Sequence, residues 1–257
     1  MTVKFIILGS GSSMGVPRAD GYFGNCNPKN KKNYRTRCSS LIKFDNENIL
    51  IDTSPDLRQQ LIFNKIKSIN KIFYTHLHAD QTHGINDLRP FYLNNGKQIP
   101  VYADVKTSKY LYSTFKYCFK SSNTYPSTLI LKNLKKRHDF KNNNKKISIV
   151  SIPVKHGNID SICYLINNKL AYASDISLIY KKDLHLFNNL NYFVVDCLWE
   201  RKHTAHFNLA QVLNIVNIIR PKKTILTNMH TDFDYDKLKN ILPKNIVPGY
   251  DGMTITL

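Results

Sequence analysis

The feature that most constrains this chain is an apolar run that ends in a turn rich in histidine. Residues 73–84 read FYTHLHADQTHG, so His76 and His78 lie two residues apart and Asp80 follows them. Side chains two residues apart on an extended chain point the same way, so the two imidazoles can face one cation. Imidazole binds zinc and other divalent transition metals well, and Asp80 adds a carboxylate beside it. With His83 included, three of the nine histidines fall within eight residues, which favours a metal site over an unrelated polar turn.

The acidic residues of the chain narrow the chemistry further. The 18 acidic residues comprise 16 aspartates and only two glutamates, Glu47 and Glu200. Glycosidases that use paired glutamates, and di-iron bundles that use Glu-x-x-His motifs, need more glutamate than this chain has. Metal or acid–base chemistry therefore has to rest on Asp, His, Cys or Lys.

Length, hydropathy and cysteine usage are those of an ordinary globular protein. The 257 residues suffice for a full core, and no stretch reaches 18 consecutive apolar residues, so no membrane partner is expected. The five cysteines are scattered without a Cys-x-x-Cys motif, which predicts free thiols and a cytoplasmic location. The net charge of +19 suits a polyanionic partner, but a sequence bias towards lysine explains it equally well.

Strand-like runs outnumber helical segments, which predicts an α/β protein whose sheets share one core. The lysine-rich stretch from Lys132 to Lys146 has the composition of an exposed connection. The predicted helices are Pro55 to Asn64, Ser108 to Phe119, Asn208 to Arg220 and Tyr235 to Leu242. The predicted strands are Val3 to Leu8, Leu41 to Phe44, Ile49 to Asp52, Lys71 to Tyr74, Ile147 to Val154, Ile162 to Ile166, Leu170 to Ala173, Tyr192 to Val195, Thr224 to Thr227 and Met253 to Leu257.

Further motifs lie at the ends or starts of predicted strands and helices, in a fixed order. They are GSGSSMGVP from Gly9, DTSPDLR from Asp52, His156-Gly157, Ser174-Asp175, AHFNL from Ala205, TNMH from Thr227 and YDGM from Tyr250. Together with THLHADQTHG they resemble the metallo-β-lactamase superfamily, in particular the PhnP-type phosphodiesterases, which hydrolyse cyclic ribose phosphates, and more distantly ribonuclease Z. The resemblance covers residues 1–257. It implies a single domain with the four-layer αββα fold, in which two mixed sheets lie face to face with helices outside.

The resemblance also implies a two-metal hydrolase in which a metal-bound hydroxide attacks the substrate. By position in the motifs, His76, His78 and His156 would hold the first ion, Asp175 would bridge the two ions, and Asp80 would serve the second. Zinc and manganese both accept such ligands, so the sequence leaves the identity of the metal open.

Acid–base roles follow from the same resemblance. His206 matches the family histidine near the leaving group and is the predicted general acid, a role that suits imidazole near neutral pH. His203, three residues earlier, is its rival. Asp80 and His206 are therefore the predicted catalytic pair.

Two family ligand positions differ in this chain. Gln81 stands where the family has histidine after Asp80, and Asn228 stands where it has a late histidine. Neutral amides are weak ligands for transition metals, and both changes affect the second ion. His83 and His230 each lie two residues beyond a lost ligand. One hypothesis is that they rebuild the second site, and the competing one is a single tight ion beside a weak or empty second site.

Candidate substrate contacts lie in the Gly/Ser-rich loop and in the basic segment after it. Ser12 and Ser13 belong to the loop, and Arg35 and Arg37 to the basic segment. Arg89, just past the metal motif, is a further candidate. Arginine forks match phosphate oxygens, and these residues would hold a phosphate if the loop borders the ions.

Three functions remain open from the sequence. The first is a metal-dependent phosphodiesterase that acts on a small cyclic or nucleotide-like phosphodiester. The second is an RNA-processing nuclease like ribonuclease Z, although the inserted region from Lys106 to Lys146 lacks the Gly/Pro-rich character of that family's tRNA-binding arm. The third is a basic nucleic-acid-binding protein with impaired catalysis. The sequence also leaves open whether Trp199 packs in the core or in a homodimer interface.

Overall fold

The strands form two seven-stranded sheets that lie face to face in the computed structural model, which describes residues 3–143 and 145–257. The first sheet contains β1 (Lys4–Gly9), β2 (Ser39–Phe44), β3 (Glu47–Ile51), β4 (Lys71–Phe73), β5 (Ile99–Ala103) and β6 (Leu129–Asn133). The second contains β7 (Arg137–Asn142), β8 (Lys145–His156), β9 (Ile159–Ile166), β10 (Leu170–Ala173), β11 (Tyr192–Asp196), β12 (Lys223–Thr227) and β13 (Ile246–Pro248). The last strand, β14 (Thr254–Thr256), pairs with β1 at the edge of the first sheet.

Both sheets are mixed, because antiparallel pairing at one end gives way to parallel pairing at the other. In the first sheet β14, β1, β2 and β3 pair antiparallel, and β3 to β6 pair parallel. The second sheet repeats this scheme, with β7 to β10 antiparallel and β10 to β13 parallel.

Helices cover the outer face of each sheet. They are α1 (Leu57–Phe63), α2 (Ala79–Thr82), α3 (Arg89–Asn95), α4 (Val105–Thr114), α5 (Lys116–Phe119), α6 (Leu209–Ile219) and α7 (Tyr235–Ile241), with 3₁₀ turns at Lys31–Asn33, Ile85–Leu88 and Lys181–Phe187. In the part of the chain that the structure describes, no helix has both the length and the apolar character needed to cross a membrane. The five cysteines are buried and free, as predicted.

The layers follow from the side chains of each strand. Along β1, Phe5 and Ile7 enter the core between the sheets, whereas Ile6 and Leu8 enter a second core beneath the helices. Successive side chains of a strand point to opposite faces, so a strand that is covered on both faces needs apolar residues at consecutive positions. A third core joins the outer face of the second sheet to Val212 and Val216 of α6. The predicted four-layer αββα fold is therefore confirmed.

Helix α6 shows how closely local signals fix an element. The Asn208 side chain accepts a hydrogen bond from Gln211 N, and the Gln211 side chain accepts one from Asn208 N, which is a capping box. The helix ends before Arg220, whose φ of 50° is left-handed. The predicted helix from Asn208 to Arg220 is confirmed to within one residue at each end.

Two other predicted helices begin elsewhere than expected. Helix α1 starts at Leu57 rather than Pro55, because Ser54 Oγ accepts from Asp56 N and the Ser54 carbonyl accepts from Leu57 N in a preceding turn. Helix α4 starts at Val105, three residues before the predicted Ser108, because the Asp104 carboxylate caps it by accepting from Thr107 N.

The stretch from Lys132 to Lys146 is not the exposed connection that its composition predicts. It contains the end of β6, all of β7 and the start of β8, and Asn144 lies outside the described residues. Every second residue of β7 packs inward: His138 lies 4.8 Å from the Tyr102 ring and Phe140 lies 6.1 Å from the Phe73 ring, measured between centroids. The outward positions of β7 are Arg137, Asp139 and Lys141, and the charged residues in and around the strand concealed the alternation.

Several strands of the two sheets end at one edge of the molecule, where polar residues follow them. Strand β4 leads into His76, and β8 ends at His156. In the second sheet β10, β11 and β12 are parallel and lead to Asp175, Asp196 and Asn228. The carboxyl ends of parallel strands are where open α/β sheets place ligands.

Candidate metal centre

Three imidazoles converge at this edge. His76 Nε2 lies 3.0 Å from His78 Nδ1, and His156 Nε2 lies 3.3 Å from the same atom. Nitrogen ligands about 2.0–2.1 Å from a tetrahedral ion stand roughly 3.3–3.4 Å from one another. The spacing therefore suits ligands of a single ion.

Neighbouring groups fix which nitrogen of each ring faces this point. Thr75 Oγ1 donates to Asp52 Oδ2 at 2.8 Å and accepts from His76 Nδ1 at 3.0 Å. His156 Nδ1 lies 2.8 Å from the Ala205 carbonyl oxygen, to which it donates. In both rings the Nδ1 proton is engaged, so the Nε2 lone pair is free for a metal. This carboxylate–hydroxyl–imidazole arrangement is typical of groups that orient metal ligands.

Burial keeps the imidazoles of His76 and His156 in the form that binds metals. Burial lowers the pKa of His76 to about 3, and it also lowers the pKa of His156. The rings are therefore neutral at physiological pH, and their lone pairs are available.

Asp175 and His206 lie beside the three imidazoles. Among the described residues, metal-ligating atoms lie within 4.8 Å of one another in two groups: His76, His78 and His156, and His156, Asp175 and His206. His206 Nδ1 is 3.9 Å from Asp175 Oδ1. The structure thus brings together the predicted ligands of the first ion, the predicted bridging aspartate and the predicted general acid.

His206 is held by a residue that the sequence analysis missed. Its Nδ1 lies 2.7 Å from Asp196 Oδ2, which also accepts from Ile176 N at 3.0 Å. Burial raises the pKa of Asp196 to about 7. Burial alone would lower the pKa of His206, but the carboxylates of Asp196 and Asp175 raise it to about 9. The signal for Asp196 was present: it follows an apolar strand, as Asp175 does.

Asp80 lies near Asp175 but contacts an amide rather than an imidazole. Gln81 Nε2 lies 3.2 Å from Asp80 Oδ2 and 3.2 Å from Asp175 Oδ2. Asn228 Nδ2 lies 3.2 Å from Asp175 Oδ1 and 3.0 Å from the Ser174 carbonyl oxygen. Burial, and then the charge of Asp175, raise the pKa of Asp80 to about 6.

The two displaced histidines do not join these carboxylates. His83 is exposed, and its Nε2 lies 2.9 Å from the Tyr110 hydroxyl. The His230 ring stands against Trp199, with centroids 5.3 Å apart, and His230 Nδ1 is 3.6 Å from Asp232 Oδ1. The hypothesis that His83 and His230 rebuild a second metal site is therefore not supported. Each side chain is held by an aromatic residue away from Asp80.

His203 remains close to the site. Its ring lies 5.0 Å from the His206 ring and 5.6 Å from the Trp199 ring, measured between centroids. It makes no contact with Asp196 comparable to that of His206 among the described contacts, and its Nδ1 accepts from Ala205 N at 3.1 Å. The geometry favours His206 over His203 as the general acid.

The predicted arginines have different roles. Arg35 is buried, and its guanidinium donates to the Phe233 carbonyl at 2.7 Å and to Asn33 Oδ1 at 3.1 Å, so it is not placed to contact substrate. Arg37 forms a two-pronged ion pair with Asp56 and lies near enough to Asp80 for that charge to raise its pKa, after the larger effect of Asp56.

Arg89 and the two serines lie elsewhere. Arg89 lies 4.4 Å from the centre of the Tyr125 ring and lines a surface groove with Arg58, so the prediction that it binds substrate is not supported. Ser12 is buried and its backbone N donates to Met229 O at 3.2 Å, beside Asn228. Ser13 is exposed in the same turn. For the serines, substrate binding stays a prediction.

Three convergent nitrogen lone pairs and a neighbouring carboxylate are a suitable donor set for a divalent ion. The beta-lactamase superfamily domain model matches residues 47–229, which include all of these side chains. The chain belongs to the beta-lactamase superfamily.

One solved structure and several sequence relatives are similar to this chain over different lengths. The crystal structure of a diphosphatase from the PhnP family matches with a TM-score of 0.88 and 28% identity, over 100% of this chain and 98% of that one. An octanoyltransferase from Porphyromonas gingivalis is 29% identical over 98% of the chain, which spans 51% of that relative. A ribonuclease Z from Methanococcus maripaludis is 35% identical over 80 residues, 30% of this chain and 26% of that protein. The predicted PhnP-like superfamily membership is confirmed.

Proposed function

We propose that this protein is a phosphodiesterase that hydrolyses a small cyclic or nucleotide-like phosphodiester with zinc or manganese as its ion. The observation that carries the proposal is the grouping of His156, Asp175 and His206 within 4.8 Å. In this grouping the imidazole of His206, which can donate a proton, lies beside His156 and Asp175, whose atoms could hold a divalent ion. Phosphodiester hydrolysis needs both functions, because negative charge develops on the phosphoryl oxygens and on the leaving oxygen.

The residues of the site supply the proton transfers. A divalent ion held by His76, His78, His156 and Asp175 would provide a Lewis acid. Water adds to phosphorus, the bond between phosphorus and the leaving oxygen breaks, and a phosphomonoester and a hydroxyl group result, in one molecule when the substrate is cyclic. Asp80 accepts the proton of the attacking water.

The leaving oxygen receives its proton from His206. Because Nδ1 is bonded to Asp196, Nε2 is the ring nitrogen that remains to donate. The imidazole is then returned to its protonated form by the proton taken from water. A proton is thus removed on one side of the phosphorus and supplied on the other.

Two arginines near the centre could contact an anionic substrate, and each already forms an ion pair, Arg201 with Asp232 and Arg18 with Asp20. Arg201 lies 4.4 Å over the Trp199 ring, and Trp199 contacts both His203 and His230. Burial lowers the pKa of His230, and the charges of Arg201 and Arg18 lower it further against the opposing effect of Asp232. These groups lie on the His206 side of the centre, where the leaving group of the substrate would extend.

The likeness to a PhnP-family diphosphatase supports phosphate chemistry and suggests one extension. Hydrolysis of a diphosphate breaks the same kind of phosphorus–oxygen bond, with a phosphate as the leaving group. A nucleotide-like diphosphate therefore belongs in the substrate panel beside cyclic and linear phosphodiesters.

RNA processing is the second candidate, because 80 residues of the chain are 35% identical to a ribonuclease Z. Against it, the region that would have to supply a tRNA-binding arm packs on the body of the protein. Leu111 of α4, Cys118 of α5 and Leu129 of β6 are buried in the core beneath the first sheet. We therefore expect small substrates to be preferred.

The test is a turnover assay on bis-p-nitrophenyl phosphate, a cyclic nucleotide, a nucleoside diphosphate derivative and a precursor tRNA, with zinc or manganese added. We expect turnover of the small substrates, lost in His76→Ala and Asp80→Ala. His185→Ala is the matched control, because His185 is an exposed histidine that belongs to neither group of metal-ligating atoms. Cleavage of the tRNA alone would favour the nuclease. Absence of all turnover, with nucleic-acid binding retained, would favour the binding protein with impaired catalysis.

A further inference from the structure

The two carboxylates expected at a second ion already have partners. Gln81 is completely buried, and its Nε2 lies 3.2 Å from one oxygen of Asp80 and 3.2 Å from one oxygen of Asp175. Asn228 is also buried and donates to the other oxygen of Asp175 at 3.2 Å. Both oxygens of Asp175 therefore accept hydrogen bonds from amides, and Gln81 joins the two carboxylates.

These contacts differ in kind from those of the first group. At His76 and His156 the Nδ1 protons are engaged elsewhere, and their Nε2 lone pairs converge with His78 Nδ1, which leaves room for a cation. Around Asp80 and Asp175, amide N–H donors converge on carboxylate oxygens. These donors occupy lone pairs that the two carboxylates would offer to a second ion, whereas each oxygen of Asp175 keeps another lone pair for the first ion.

Other side chains do not replace the missing ligands. His83 bonds Tyr110 and His230 packs on Trp199. Among the described residues Asp80 belongs to neither group of metal-ligating atoms. The ligand added for a second ion would be the buried Oε1 of Gln81, which has no hydrogen-bond partner among the described residues. A neutral amide oxygen is a weak ligand beside imidazole.

We propose that this protein binds a single divalent ion, at His76, His78, His156 and Asp175, and that Gln81 and Asn228 replace the second ion of the two-metal scheme. The amides hold Asp80 and Asp175 in position by hydrogen bonds. Asp80 then serves as a proton acceptor and not as a metal ligand. The number of ions bound is independent of which phosphate ester the enzyme hydrolyses.

The first experiment counts ions. Metal-free protein is titrated with zinc, and separately with manganese, and the stoichiometry is read by native mass spectrometry and calorimetry. We expect one ion per chain in the wild type and still one in Asp80→Ala, whereas His78→Ala should lose it. Two ions in the wild type, with one lost in Asp80→Ala, would overturn the proposal, and so would the absence of any bound ion.

The second experiment restores the family ligands. The double variant Gln81→His/Asn228→His removes both amide donors and adds two imidazoles, and we expect it to take up a second ion under conditions that give one in the wild type. A matched control, Gln81→Ala/Asn228→Ala, removes the donors without adding ligands and should stay at one ion. If the double histidine variant does not fold, Asn228→His alone should raise the affinity for a second ion. A folded double variant that still binds one ion would overturn the role assigned to the amides.

Discussion

His206 Nδ1 lies 2.7 Å from Oδ2 of Asp196, a carboxylate with no exposure to solvent. The same oxygen accepts a hydrogen bond from Ile176 N, so the carboxylate is fixed from the second sheet. A buried carboxylate that accepts from Nδ1 orients the imidazole and stabilises its protonated form, as the aspartate of a catalytic triad does. In the proposed mechanism Asp196 is therefore a positioning residue for the proton that His206 would supply.

Asp196→Asn should separate this role from metal binding. The amide keeps the size of the side chain but loses the charge that stabilises the imidazolium, so hydrolysis of an alkyl phosphodiester should slow by about 10²–10⁴-fold. Turnover of bis-p-nitrophenyl phosphate should fall much less, because p-nitrophenolate leaves without a proton. Steady-state kcat on both substrates gives the comparison, with metal content as the control. Equal losses on both substrates would contradict proton donation by His206.

A second prediction concerns the support of His76. Thr75 Oγ1 connects Asp52 to His76 Nδ1, with both distances at or below 3.0 Å. Thr75→Val keeps the shape of the side chain but removes the hydroxyl, and loss of such an orienting partner typically lowers metal affinity by about 10–100-fold. Thr75→Ser keeps the hydroxyl and should retain the wild-type affinity. Competition with a chromophoric chelator measures the metal affinity of both variants. Equal metal affinities in Thr75→Val and Thr75→Ser would show that the hydroxyl is unimportant.

The sequence predicted the first metal group because strand ends and motif spacing act locally. His76 and His78 share a face by backbone geometry alone, and the apolar strands before His156 and Asp175 bring their ends to one edge of the sheets. The same reasoning reaches Asp196 at the end of β11. It was missed because no motif of the resemblance drew attention to that strand.

The errors at the site concern side-chain direction, which the local sequence does not reveal. His230 lies two residues after Asn228, and only the fold shows that its ring contacts Trp199. Arg35 and Arg37 also lie two residues apart, yet Arg35 is buried among backbone carbonyls while Arg37 pairs with Asp56. Which neighbour a polar side chain meets depends on distant segments, such as residues 230–235 beside Arg35.

Arg35 should therefore matter for stability and not for substrate affinity. Its guanidinium donates to the Phe233 carbonyl at 2.7 Å and to Asn33 Oδ1 at 3.1 Å, and burial lowers its pKa. Arg35→Met fills similar space but leaves buried acceptors short of donors, which should lower the free energy of unfolding by about 1–3 kcal/mol. Urea denaturation measures the loss. KM should stay at the wild-type value, and a raised KM with unchanged stability would restore Arg35 as a substrate contact.

The pair of Arg37 and Asp56 should give stability that depends on pH. Arg37 donates to Asp56 through its backbone N at 2.9 Å, Nε at 2.8 Å and Nη2 at 2.6 Å. Burial raises the pKa of Asp56, but the hydrogen bonds and charge of Arg37 outweigh burial, so the net pKa lies below its ordinary value of 3.8. The folded protein thus favours the carboxylate, and the unfolded chain binds more protons in acid. The stabilisation is fully present above about pH 4 and is lost as the pH falls through the folded pKa.

Asp56→Asn tests the sign of this effect. At pH 7 we expect the variant to unfold with a free energy about 1–2 kcal/mol below that of the wild type, since the pair is partly buried and hydrogen-bonded. The difference in unfolding free energy should shrink as the pH is lowered from 5 towards 3. Urea denaturation of both proteins measures it, without metal, so that protonation of the histidine ligands affects the two proteins alike. Asp139→Asn, which breaks the exposed pair with Arg137, is the matched control and should change little at either pH. A difference between Asp56→Asn and wild type that grows in acid would mean that burial, and not Arg37, dominates the pKa of Asp56.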